Sequence, residues 1–208
     1  MKDMLPVVVM FGLGCALGLS HSVPVDAVPE GLGMILLYVL VAQVGLSIGS
    51  DDSLKDILRG MRPKMLLLPL ATVAGTLLFA VPAGWFIEER SLPDCLAVSS
   101  GFAYYSLSSV LITELKSASA GAQVAAELAT LALLTNVVRE IMALLLVPVL
   151  PRIFGRMAPI SAAGAGSMDV MLPSISRYSG NDMVPAAIMH GMTLEMAVPL
   201  LVTLFCSL

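Results

Sequence analysis

The sequence predicts an all-α, polytopic helical membrane protein with about five transmembrane helices and two further segments that are re-entrant or broken. Three observations lead there. Of the 208 residues, 58% are hydrophobic and 12% charged, with a mean hydropathy of +0.94, whereas a soluble domain carries roughly twice that charge. Apolar runs repeatedly reach the length of about 20 residues that crosses a hydrocarbon core as helix. Two further hydrophobic stretches are interrupted, one by Ser, Gly and Tyr and the other by Gly, Ser, Asp and Pro, and irregular backbone is tolerated at membrane depth only where protein buries it or water reaches it.

The elements follow in order. Leu5–Ser20 is a first, short span that carries Gly12, Gly14 and Gly18, where another helix can approach closely. It lacks a signal-peptidase site and reads as a retained span. Gly31–Gly49 is the second span. Asp51, Asp52, Lys55, Asp56, Arg59, Arg62 and Lys64 follow, the densest group of cations in the chain, which the positive-inside rule places in the cytoplasm. Met65–Ile87 is the third span, with Trp85 near its outer end and Glu88, Glu89, Arg90 and Asp94 beyond it. Leu96–Thr113 is rich in Ser, Gly and Tyr and is closed by Glu114 and Lys116. Ala120–Leu150 is a long helix ending at Pro148 and Pro151, with Arg152 and Arg156 marking a cytoplasmic end. The 96–113 segment therefore starts and finishes outside, so it should be re-entrant or broken. Ala158–Ser176, with Gly164, Gly166, Ser167, Asp169 and Pro173, has the same character on the opposite face. Val184–Leu208 is the last span. Paired discontinuities of this kind are the best sequence pointer to a transporter's binding site.

Other classes fit poorly. A net charge of −4 without a basic run opposes nucleic-acid binding. A barrel would carry shorter, alternating segments. Cys15, Cys95 and Cys206 form no close pair in sequence and read as packing residues rather than disulfide or zinc ligands. The 14 methionines are scattered, so core packing explains them better than a soft-metal relay.

The buried polar residues carry the chemistry. Glu140 lies deep in a predicted span, where an ionisable group costs about 2.5–3.5 kcal/mol and normally faces a cavity or a partner. It is either half of a structural ion pair or a carboxylate for which a substrate ammonium and a proton compete. Asn136 shares its face one turn away, whereas Arg139 is about 100° round the helix. Arg139 fits a substrate carboxylate and a structural partner equally well. Asp169 ends a glycine-rich break and reads as a helix cap or as a ligand. Ser106, Ser108 and Ser109 suit either close helix packing or a substrate carboxylate held beside half-helix N-termini. Ser167 lies in the second break. His190, about 12 Å into the last span, is a proton carrier or an inter-helix hydrogen-bond donor. Glu195 lies about 140° round the helix from His190 and cannot form a same-face pair with it.

Four motifs in order carry a family resemblance: Ser100-Gly101-Phe102-Ala103-Tyr104-Tyr105-Ser106-Leu107-Ser108; Asn136 with Arg139-Glu140; Gly164-Ala165-Gly166-Ser167-Met168-Asp169 with Leu172-Pro173; and Val184-Pro185-Ala186-Ala187-Ile188 with His190-Gly191. Together they resemble the LysO lysine exporter family over essentially the whole chain. The resemblance implies a single transmembrane transport domain over residues 1–208 in the bacterial inner membrane, exporting L-lysine or a similar cationic amino acid by exchange with protons. It implies no enzyme and no cofactor. Glu140, Asn136, Arg139, Asp169, Ser106, Ser108, Ser167 and His190 are the residues expected to bind substrate or protons. Longer members carry further spans ahead of the position matching Met1, including an intramembrane acidic residue, so a small three-span membrane subunit is an expected partner. Ala103-Tyr104 and Gly166 stand where the family carries Gly-Trp and Thr, and Glu195 stands where it is uncharged.

Two other functions stay open on sequence. An intramembrane hydrolase would use Ser167, Asp169 and His190, but the chain has no Gly-x-Ser-x-Gly elbow and no His-Glu-x-x-His metal site. A non-transporting subunit of a split transporter would need a partner chain. With no Walker motif present, ATP is not the expected direct energy source. The substrate name comes from family analogy, whereas physics supplies the membrane, the breaks and the buried charge.

Overall fold

The computed structural model describes residues 66–85 and 90–208, with positions 9, 13, 16, 17, 20, 35, 39, 42 and 46 placed singly. Apart from those single positions, the expected spans Leu5–Ser20 and Gly31–Gly49, the basic loop between 51 and 64, Cys15, Glu88 and Glu89 lie outside the described residues. The chain forms two compact units, Met1–Leu36 and Leu37–Leu208, and every helix labelled below belongs to the second.

Helix α1, Leu67–Gly84, is an uncharged apolar run with Pro82 in its last turn. Helix α2, Leu92–Ser99, begins with a capping box: the Ser91 hydroxyl accepts from the Asp94 amide, and the Asp94 carboxylate accepts from the Ser91 amide. It stops at Ser100 because the chain turns through Phe102 and Ala103, both in the left-handed region at φ 43° and 72°. Helix α3, Tyr105–Ala120, resumes after this break. Gly121, at φ 89°, ends it, and helix α4, Ala122–Leu146, folds back against it as a hairpin.

The first interrupted segment is thus broken at 100–104, as the Ser- and Gly-rich run predicts. Its end is not where the charges suggest. Helix α3 runs past Glu114 and Lys116 to Ala120, because Lys116 is buried and its ammonium meets the Asp94 carboxylate at 2.7 Å. The lysine joins the two halves of the segment rather than ending it in solvent.

Helix α4 ends ahead of Pro148, which lacks an amide donor. A short helix α5, Leu150–Phe154, and helix α6, Ala158–Ala163, follow. Gly164 leaves helical geometry at φ 63° and opens a 3-10 turn, Gly164–Met168. Helix α7, Leu172–Ser179, and a second 3-10 turn, Asn181–Met183, lead into helix α8, Val184–Cys206, which carries Pro199 inside it. The second predicted interruption is therefore a helix, a turn and a helix.

Helices α2 and α3 and the 164–168 turn all pack on α8. One apolar core gathers Phe102, Leu107, Ile112, Leu128, Leu194 and Val198 around the first break. A second joins Ala143, Ile160, Met171, Ile175 and Ala187 around the other. At 25 residues, α4 spans about 37 Å, and Ala122–Leu146 and Asn181–Cys206 are long and apolar enough to cross a membrane. Large apolar side chains face outward on three helices, including Phe79, Leu145 and Leu200, each more than two-thirds exposed. Water tolerates that poorly as a continuous surface, and lipid tolerates it well.

Candidate functional site

The two breaks touch. The Ala165 amide donates to the Phe102 carbonyl at 2.8 Å, so the turn after α6 lies directly on the turn after α2. Gly164 is required there, because a Cβ would sit 2.3 Å from the Phe102 oxygen. Broken helices leave orphan amides and carbonyls, and α4 supplies their partners. The Asn136 Oδ1 accepts from the Ala103 amide at 2.6 Å, and its Nδ2 donates to the Ala132 carbonyl at 2.8 Å. Gly101 leaves room for that amide, since a Cβ would lie 2.2 Å from Nδ2. Arg139 turns to the other break. Its guanidinium donates to the carbonyls of Ala162 at 3.2 Å and Ser161 at 3.0 Å, which end α6, and it lies 5.7 Å from the Phe102 ring centroid. A cation at a helix C-terminus offsets its dipole.

A cavity of about 130 Å³ opens beside this crossing, lined by Ala103, Tyr104, Tyr105, Ser106, Glu140, Ala165, Gly166, Asp169, Val170 and Glu195. Three carboxylates face it from three elements: Glu140 from α4, Asp169 from the turn before α7, and Glu195 from α8. They grade from buried Glu140 through half-buried Glu195 to exposed Asp169. Glu140 is only 3% exposed, and its Oε2 has no hydrogen-bond partner. The Glu195 Oε2 is likewise buried and unpartnered. Helix α3 begins at the same wall, and its N-cap Tyr104 supplies no side-chain acceptor for the first-turn amides. The cavity therefore combines strong anionic character with one helix N-terminus that favours an anion.

His190 belongs to a separate network. It is fully buried, with Nε2 3.0 Å from the Thr72 hydroxyl of α1 and Nδ1 3.2 Å from the Ser167 hydroxyl. Ser167 also donates to the Ala187 carbonyl at 2.9 Å, and Thr72 contacts the Ser161 hydroxyl at 3.0 Å. This chain of hydroxyls ties α1, α6, the 164–168 turn and α8 together.

The structure thus brings Glu140, Asp169 and Ser106 to one cavity. It places Asn136 and Arg139 at the backbone of the breaks, and Ser167 and His190 in the hydroxyl network. Ser108 is buried within α3, its hydroxyl donating to the Tyr105 carbonyl at 3.3 Å. Asp169 accepts from the Val170 amide at 2.5 Å, while the N-cap of α7 is Met171. No ion pair among the described residues joins Arg139 to a carboxylate. The histidine's two ring nitrogens face Thr72 and Ser167 rather than Asp169. The cavity residues missed in sequence are Tyr104, Tyr105 and Glu195. Glu195 was detectable as an ionisable residue inside a predicted span.

Two helices long and apolar enough to cross a membrane, two touching breaks and a buried carboxylate cavity fit the class of helical membrane proteins. A sequence profile of the family described as Lysine exporter LysO matches residues 8–206. The chain belongs to that family. It is 33% identical over 199 residues to the Escherichia coli K12 protein named Lysine exporter LysO, a match covering 94% of this chain and 61% of that protein. The chain thus spans about three-fifths of that relative's length. A Haemophilus influenzae protein, provisionally named a lysine exporter, is 30% identical over 182 residues, 86% of either chain. No solved structure matches the chain.

Proposed function

We propose that this chain exports L-lysine or a similar cationic amino acid across the bacterial inner membrane, in exchange for protons. One observation carries the reading: a carboxylate 97% removed from solvent, Glu140, has an unpartnered oxygen at a cavity where two broken helices cross. A buried anion of this kind needs a cation or a proton, and an exporter supplies them alternately. The substrate's ammonium sits at Glu140, with Asp169 at the open edge. Its carboxylate sits against the Ser106 hydroxyl and the uncapped first turn of α3. The names of both relatives support lysine as the substrate.

The test is lysine efflux from proteoliposomes holding the purified chain, with an imposed pH gradient. The intact chain is expected to move lysine outward as protons enter. Glu140→Gln, which keeps shape and removes charge, is expected to lower the rate by at least about a hundredfold, the cost of an unmatched buried charge. Full efflux by Glu140→Gln would remove the proposed role. A subunit reading predicts no flux from the chain alone, and the same assay decides it.

A further inference from the structure

We infer that Glu195 is a further substrate-binding residue of this cavity, holding an organic ammonium jointly with Glu140, each from its own helix. The inference rests on the exporter reading and adds to it a residue and a ligand class. Glu195 and Glu140 come from different helices, α8 and α4, yet line the same cavity, and each has a buried oxygen without a hydrogen-bond partner.

No cation of the described residues answers them. The ion pairs there join Arg90 to Glu127, Lys116 to Asp94 and Arg156 to Asp182. Arg139, the neighbour of Glu140 in sequence, spends its guanidinium on the carbonyls of Ser161 and Ala162. Like charges that share one cavity disfavour one another's ionised forms, and a positive charge entering it relieves that repulsion.

Among the described residues no three His, Cys, Asp or Glu side chains are grouped to hold a metal ion. The carboxylates instead surround a space walled by Ala103, Ala165 and Gly166, which suits a charged head on an apolar stem. A primary ammonium offers three donors in different directions, enough to reach a carboxylate on each helix. His190 does not compete for Glu195, because its ring is closed into the Thr72 and Ser167 network.

The test uses the full chain in lipid nanodiscs, with radiolabelled L-lysine as ligand and Glu195→Gln, Glu195→Asp and Glu140→Gln as variants. Glu195→Gln is expected to weaken lysine binding about tenfold, with Glu195→Asp recovering much of it, whereas binding of Glu195→Gln within about twofold of wild type overturns the inference. A second arm does not depend on lysine as substrate. Glu195→Cys, made with the native Cys15, Cys95 and Cys206 replaced by Ser, is labelled with a cationic and an anionic water-soluble thiol reagent. The cationic reagent is expected to react faster, and adding Glu140→Gln is expected to shrink that preference. An unreactive cysteine, or no charge preference, overturns the inference. If wild type fails to bind lysine while the charge preference holds, the substrate reading fails and the cation site stands.

Discussion

The Ala165 amide donates to the Phe102 carbonyl at 2.8 Å, and this bond joins two breaks separated by more than sixty residues of chain. Phe102 reaches that position only through a left-handed backbone, at φ 43°. Such strain costs on the order of 1–3 kcal/mol and persists where the surroundings over-determine it. Here they do: the Phe102 ring is fully buried, its carbonyl is bonded, and the next amide is held by Asn136.

Gly164→Ala should separate the two breaks. A Cβ at 164 would meet the Phe102 oxygen at 2.3 Å, in a backbone conformation with φ 63°. Backbone cannot move aside as a flexible side chain can, so a loss of at least about 1–3 kcal/mol is expected. Thermal unfolding in detergent measures it. A melting temperature unchanged from wild type would show that the contact is dispensable.

Asn136→Leu should also destabilise the fold, for a different reason. It leaves the Ala103 amide buried without its acceptor, a cost of about 1–3 kcal/mol. Asn136→Asp keeps an acceptor for that amide but puts a charge at a site 2% exposed, so it should rescue less than fully. If Asn136→Leu melts with wild type and loses only lysine affinity, Asn136 touches substrate rather than backbone.

Asp94 gives the start of α2 a pH dependence. Burial works against its charge, but the hydrogen bonds from Lys116 and Ser91 outweigh that and hold the carboxyl below its usual range. A carboxyl lowered by folding stabilises the fold above the unfolded-state value of about 3.9, and that contribution fades as pH falls through the folded value. Melting temperatures taken from neutral pH into acid should fall more steeply for wild type than for Asp94→Asn, the two curves converging at the acid end. Parallel curves would mean that the pair contributes nothing.

His190→Asn should cost stability while leaving the proposed proton-coupled efflux in place, because both ring nitrogens serve the hydroxyl network and the residue is fully buried. The Thr72 and Ser167 hydroxyls would lose a partner, at about 1–3 kcal/mol. Melting and efflux should therefore separate. Loss of pH dependence in a variant that still folds would return His190 to the proton path.

Much of this was legible in sequence. Apolar length sets α1, α4 and α8, and the run from Ser99 to Ser109 signals a break because glycine and serine weaken a helix locally. Lys116 misled, since a charge usually marks solvent and this one is buried against Asp94. Periodicity puts Asn136 and Glu140 on one face of α4, yet one serves the backbone of a break and the other a cavity. Only three-dimensional placement separates such neighbours. The pairing of His190 with Thr72, 118 residues apart, leaves no local signal. Glu195 was visible as an intramembrane charge, but its direction depends on how α8 packs against α2 and α3.

The most direct measurement is carbodiimide modification of Glu140, read by peptide mass spectrometry with and without saturating L-lysine. A carboxylate in a watery, substrate-holding cavity should be modified in the free protein and protected by lysine, but not by norleucine, which lacks the second ammonium. A Glu140 that stays unmodified under every condition, or reacts equally fast with lysine bound, would contradict the account.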